Sequence, residues 1–274
     1  MVNKRIDYTA AAVDAAKSVL IELTHILGEY REDIVLVGGW IPELLIPQSP
    51  ERHVGSIDVD LALNHEELTE AGYRMIGEIL LEHGYVEDRR QPFIFRKNVR
   101  GQVVQVDFLA GEYGGTGKSR RTQKALDIRP RKARGCDLAF QVAPETVTLR
   151  GHLPDGAADE VRVRIASVVP FLVMKGIALE DRRKAKDAYD IYFILQNYPG
   201  GVDAVVQAFK PHLKLGLVKE GLQKIAGKFA TPDHVGSRDA AEFDDTLDEE
   251  ERAIRRRDAF EKVNYLLHQL GIVR

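Results

Sequence analysis

The segment Ile57-Asp58-Val59-Asp60-Leu61-Ala62-Leu63 narrows the possible folds more than any other stretch of the chain. Its apolar and acidic residues alternate, and a period of two belongs to a β-strand. Asp58 and Asp60 therefore project from one face, with Val59 and Leu61 on the other. Two neighbouring carboxylates repel unless a proton or a cation lies between them. Such a strand needs an apolar layer behind it and a polar partner in front.

The flanking residues suggest what that partner is. Ile34 to Val37 reads as a short buried strand, Gly38-Gly39 as a turn, and Trp40 to Ile46 as a short helix. A strand, turn and helix in that order bring backbone N–H groups toward a polyphosphate, and only small residues leave room for its approach. Pro47 to Gly55 is a loop, and Ser56 stands just before the acidic strand. A third acid, Asp107, lies between Val106 and Phe108 in another apolar run. An unpaired carboxylate there is costly, so a metal or an arginine partner is expected. Oxygen-only ligands favour Mg²⁺ or Mn²⁺ over zinc. Taken singly, Asp-x-Asp on an edge strand can face water and Gly-Gly can be an ordinary turn. The combination is much less common.

The rest of the chain supplies the frame. Apolar residues at helical spacing run from Tyr8 to Tyr30. Asn64 is a plausible cap for a helix with Glu66 and Glu67 in its first turn, ending near Gly84. Phe93 to Val99 and Val103 to Leu109 read as strands joined around Arg100-Gly101, and Thr146 to Arg150 pairs with Val161 to Ile165 as a further hairpin. Beyond Ser167 the segments are helical, Thr231 to Glu251 reads as a polar linker or loop, and a last helix runs to about Leu270. The expected fold is α+β: a mixed sheet with flanking helices over residues 1–166, followed by a helical domain over 167–274. With 44% hydrophobic and 30% charged residues, the composition is that of a soluble globular protein, and no apolar run is long enough for a bilayer. The N-terminus has no signal-peptide core. Cys136 is the single cysteine, which excludes an internal disulfide and a cysteine zinc cluster and suits the cytoplasm.

After the Asp107 strand comes GEYGGTGKSRR, which looks at first like a phosphate-binding loop. The spacing fails: five positions before Gly117 stands Glu112, and Gly111 is one residue too early. A different use suits the segment. Lys118, Arg120, Arg121, Lys124, Arg129, Arg131, Lys132 and Arg134 face one acid, Asp127, in a chain whose net charge is -3. Two readings stand: a contact to triphosphate or to a nucleic-acid backbone, with Lys118 nearest the glycines, or a solvated loop.

Gly38-Gly39, then Ser56-Ile57-Asp58-Val59-Asp60, then Asp107 resembles the DNA polymerase beta-like nucleotidyltransferase superfamily. The resemblance implies that Asp58 and Asp60 bind the metals and Asp107 contacts one of them and the acceptor hydroxyl. Gly38, Gly39 and Ser56 would lie against the NTP. The spacer from Gly39 to Asp58 is longer than usual, so Pro47 to Gly55 looks like an inserted loop. MKGIALEDRRKAKDAYDIYFIL further resembles the AbiEii/AbiGii-type toxin branch, through Lys175, Arg182 or Arg183, Lys186, Asp187 and Asp190. There Lys175 would neutralise triphosphate oxygens, with Asp187 and Asp190 completing the site. For those two acids a salt-bridge lattice on a helix surface stands as the alternative.

The resemblance implies transfer of NMP from an NTP to an acceptor. RNA or tRNA is favoured by the basic loop, with a cognate antitoxin protein as partner. The competing reading is a small-molecule nucleotidyltransferase of the aminoglycoside or lincosamide type, echoed by Gly38-Gly39-Trp40 and Arg52-His53, with Tyr189, Tyr192 and Phe193 as pocket walls or as core. A non-catalytic nucleotide-binding protein has no reason to keep three costly acids.

Overall fold

The computed structural model describes residues 4–112, 130–182 and 184–273. Their contacts divide the chain into two compact units. One comprises Thr9–Ile41 and Gly55–Ala166; the other comprises Ser167–Arg274 together with Pro42–Val54 and the stretch ending at Tyr8.

The first unit is built on one mixed sheet. Helix α1 (Ala10–Ile26) opens it, with Thr9 Oγ1 accepting a hydrogen bond from Ala12 N. Strand β1 (Ile34–Val37) runs into the Gly38–Trp40 turn and the short helix α2 (Ile41–Leu45). Then come β2 (Asp58–Leu63), α3 (Glu70–Glu82), β3 (Val86–Asp88), β4 (Gln91–Val99), β5 (Gln102–Ala110), β6 (Arg131–Lys132), α4 (Leu138–Gln141), β7 (Glu145–His152) and β8 (Ala158–Ile165). The strand order is β3-β4-β5-β2-β1-β8-β7, with β6 added beside β5. β2 runs parallel to β5 and antiparallel to β1. Helix α1 packs on β5, β7 and β8, burying Val19, Leu20 and Leu23. The apolar backs of the strands and the apolar stripe of α1 thus form one core.

The α3 boundary departs from expectation. Asn64 closes a turn instead, its Oδ1 accepting from Glu66 N. The helix begins at Glu70, and Thr69 Oγ1 caps it by accepting from Gly72 N. Leu68 is buried in that turn, so the chain makes a further apolar contact before coiling.

In the second unit α5 (Val168–Asp181), α6 (Ala185–Asn197), α7 (Gly201–Phe209), α8 (Gly216–Lys228), α9 (Val235–Glu242) and α10 (Glu249–Gln269) pack together. Helices α5 and α8 cross closely: a Cβ on Gly176 would meet Gly221 O at 2.6 Å. Helix α9 corrects the expectation of a linker over Thr231 to Glu251. That segment is polar outside, but Gly236, Ala240 and Ala241 are buried small residues that let α9 pack between α6 and α10. Asp248 then starts α10 with a reciprocal capping box to Glu251.

Candidate active site

Strand register brings the three predicted acids to one face. Asp60 pairs with Asp107 across the parallel β2–β5 ladder, and Asp58 pairs with Gln105. Paired residues of neighbouring strands point the same way, with backbones about 4.8 Å apart. Trp40 Nε1 donates to Asp58 O at 2.9 Å, tying the turn after β1 to the start of β2. Asp60 also faces Val37 across the antiparallel β1–β2 ladder. The Gly38 turn is therefore beside it: a Cβ on Gly38 would lie 2.1 Å from Asp60 Oδ2. Gly38 also has φ of +79°, a conformation that side chains resist.

Asp58 and Asp107 have local support. Ser56, itself buried, donates its hydroxyl to Asp58 Oδ1. Asp107 is only 8% exposed. Its Oδ1 accepts from Gln105 Nε2 at 2.9 Å, and Arg131 Nη2 stands 3.8 Å from Oδ2. The partner expected from the apolar run thus includes an arginine. Gln105 escaped the sequence reading, although its place two residues before Asp107 puts it on the same face. Arg131 was legible only as one of many basic residues, because its pairing beside β5 is a tertiary contact.

The donors are all oxygens at adjacent positions of one face, which suits a hard divalent cation. In this arrangement Asp58 turns toward Ser56, and Asp107 toward Gln105 and Arg131. Among the described residues no three His, Cys, Asp or Glu side chains converge as a ready metal cage. Small side-chain rotations would be needed to gather these oxygens.

The start of the glycine-rich stretch is explained by packing. A Cβ on Gly111 would fall 1.6 Å from Asp137 Oδ1, so the residue is small because a carboxylate occupies the space. Glu112 pairs with Arg134 at 2.7 Å. Lys118, Arg120, Arg121, Lys124, Asp127 and Arg129 lie outside the described residues, as does Arg183.

The second predicted group lies in the helical unit. Lys175 on α5 is 7% exposed, and its Nζ sits 2.7 Å from both Asp187 Oδ1 and Asp190 Oδ2. The ammonium expected on a triphosphate is here engaged by two carboxylates. Lys186 adds contacts of 2.9 and 3.1 Å to Asp190, and Arg182 Nε lies 3.2 Å from Asp187 Oδ2. Asp187 and Asp190 are 1% and 0% exposed, so the reading of a solvated surface lattice is corrected. Burial disfavours the charged forms, but the surrounding cations outweigh it: both aspartates are held below the usual carboxylate range, and Lys175 above the usual lysine range. Tyr189, Tyr192 and Phe193 are buried core residues.

His53 joins this cluster from the spacer before β2. Its Nε2 donates to Asp190 Oδ1 at 2.9 Å, and its ring stacks on Tyr189 with centroids 5.4 Å apart. Burial, reinforced by Lys186, pulls its pKa down to about 4 against the partial opposition of Asp190. A histidine buried neutral contributes stability that is complete above its unfolded pKa of about 6.5 and is lost as pH falls toward the folded value. We expect the unfolding free energy from urea titration to decline between pH 6.5 and 4, by an amount on the order of 3 kcal/mol. His53→Gln should flatten that slope, and an unchanged slope would rule His53 out as its source.

Gly38 offers a second test. Gly38→Ala should cost about 1–2 kcal/mol of stability through its positive φ, and should push the Asp60 carboxylate aside. Catalytic loss well beyond what the melt explains is the expected result; unaltered turnover in the folded variant would contradict this placement of Asp60.

A mixed sheet that sets a Gly-Gly turn against strand-borne carboxylates, with helices around it, has the fold of a nucleotidyltransferase. The chain matches the family model described as Nucleotidyl transferase AbiEii toxin, Type IV TA system, over residues 26–268, and it belongs to that family. It is an enzyme of nucleotidyl transfer. No curated protein matches its sequence significantly.

Proposed function

We propose that the protein transfers NMP from an NTP to an acceptor hydroxyl with the help of a divalent cation, Mg²⁺ or Mn²⁺, and that the acceptor is RNA, tRNA foremost. The observation that carries this reading is the single face shared by Asp58, Asp60 and Asp107 beside Gly38. Residues 1–166 supply the chemistry, and 167–274 form the helical domain. Asp58, Asp60 and Asp107 would hold the cation, which would supply Lewis-acid stabilisation when bound. Gly38 and Gly39 let the triphosphate approach the backbone, and Ser56 orients Asp58. Asp107 accepts the proton of the attacking hydroxyl as that oxygen bonds to the α-phosphorus and the bond to the departing pyrophosphate breaks, with Gln105 and Arg131 fixing the Asp107 carboxylate. Lys118 and the basic residues after it meet the phosphates of the NTP or of the RNA. For Lys175, Asp187 and Asp190 the contacts support a closed ion-pair cluster that sets α5 against α6. As the toxin of a toxin–antitoxin pair, the protein acts in the cytoplasm and is opposed by a cognate antitoxin. Among the described residues no helix is long and apolar enough to cross a membrane.

The test is incubation with each α-³²P NTP, a divalent cation and total bacterial RNA, beside a parallel set of aminoglycosides. An Asp58→Ala/Asp60→Ala variant is the control. Label in RNA that disappears in the variant is expected. Label only on an aminoglycoside would move the protein to the small-molecule class, and label equal in the variant would remove the aspartates from catalysis.

A further inference from the structure

The aspartates stand on two adjacent strands, and the two sides of that face differ. Toward β1 lies the Gly38 turn; toward β4 and β3 the same face runs on as an open ledge. Alternation from Asp107 places Gln105 and Val103 on it. Antiparallel pairing adds Arg96 opposite Gln105, Asn98 opposite Val103, and Val86 opposite Arg96. Val103 is 62% exposed and Val86 67%, whereas Val104, Val106, Phe95 and Val99 on the reverse side are buried. Two apolar side chains thus face water on a surface continuous with Asp107.

Arg96 stands between them and is held in place. Its side chain is 38% exposed, and Nη1 donates to Asp88 Oδ2. Asp88 Oδ1 accepts from Arg90 N at 2.8 Å and Gln91 N at 3.1 Å. The Arg96 bond and then these N–H groups keep the Asp88 carboxyl below its usual range, so the guanidinium keeps a charged anchor. A fixed planar guanidinium flanked by valines offers a nucleobase a surface to stack on. A polycationic acceptor finds the opposite there, since Asp88 is already engaged. Arg96 lies one strand over and two residues along from Asp107, about 8 Å between backbones.

The reaction sets the direction of approach. In an in-line displacement the acceptor oxygen bonds to the α-phosphorus opposite the breaking bond to pyrophosphate. With the triphosphate at the Gly38 turn beside β1 and the phosphorus over β2, the acceptor enters over β5. We propose that the ledge of Val103, Arg96 and Val86 seats the nucleobase of the terminal acceptor nucleotide of an RNA. This rests on the reading of the protein as an RNA nucleotidyltransferase. The test pairs steady-state transfer to total bacterial RNA with quenching, in the absence of NTP, of a decaribonucleotide carrying 2-aminopurine at its 3′ end. Val103→Glu should raise the KM for RNA about tenfold and leave the KM for NTP near the parent. Leu81→Glu, the same change at an exposed position on α3, should move the KM for RNA less than about twofold. Arg96→Lys keeps the charge and loses the plane, so it should weaken the quenching about fivefold. Unaltered RNA parameters in Val103→Glu and Arg96→Lys, a rise in the KM for NTP instead, or an equal loss in Leu81→Glu would each overturn the proposal. Loss of the ledge effect in a parent that still labels RNA leaves the function standing. A parent that labels no RNA removes the function, and the quenching series then decides the ledge by itself.

Discussion

Asp60→Asn should yield a folded protein whose NMP transfer falls at least about a thousandfold. The substitution preserves shape and removes one charge from the face where Asp58, Asp60 and Asp107 stand at neighbouring ladder positions. That charge is worth most when a cation and a phosphoryl group are present, because carboxylates that repel one another in the free protein become attractive ligands in the reaction. Several kcal/mol of lost transition-state stabilisation corresponds to a rate loss of this size. Folding should respond in the opposite sense. Relieving like-charge crowding should leave the melting temperature unchanged or slightly higher. The measurement pairs a thermal melt with the radiolabel transfer assay. Activity within about tenfold of the parent would remove Asp60 from the catalytic group, while a collapsed melt would assign it a structural role.

The aspartate-bearing face was legible because its information is local. Period-two alternation fixes which side Asp58 and Asp60 occupy, and the apolar run around Asp107 marks it as a residue needing a partner. Register between strands is not local, so the pairing of Asp60 with Asp107, and of Asp58 with Gln105, appeared only in the folded sheet. The long spacer after Gly39 is the clearest case of missing information. Read along the chain it is an inserted loop; in the fold Pro42–Val54 groups with the helical unit, where His53 is buried against Asp190. No pattern within ten residues announces that a histidine will find an aspartate 137 positions away. Helix α9 was hidden for another reason. Its buried residues are Gly236, Ser237, Asp239, Ala240 and Ala241, which carry almost no hydrophobic signal, yet the small ones permit close helix packing.

The buried cluster sets up the second large effect. Asp190→Ala should destabilise the protein by about 3–5 kcal/mol, because it leaves buried cations without their counter-charge. Asp190 takes contacts from Lys175, Lys186 and His53 and is fully buried, so water cannot replace it. Asp187→Ala should cost less. Lys175 would keep Asp190, and Arg182 is 45% exposed at its side chain and can return to solvent. The order of the two losses is therefore the informative quantity. The direction of the aspartate shifts adds a pH signature: stability contributed by carboxylates with depressed pKa is present above their unfolded value of about 3.9 and fades as pH falls below it. Urea denaturation of both variants at neutral pH and near pH 3 tests the scheme. The gap between parent and Asp190→Ala should narrow in acid, because the unfolded parent then takes up a proton at Asp190 that the folded protein does not, and folding must expel it. Equal losses for the two variants at neutral pH, or a gap that persists undiminished in acid, would show that the packing of the side chains matters here and that their charges do not.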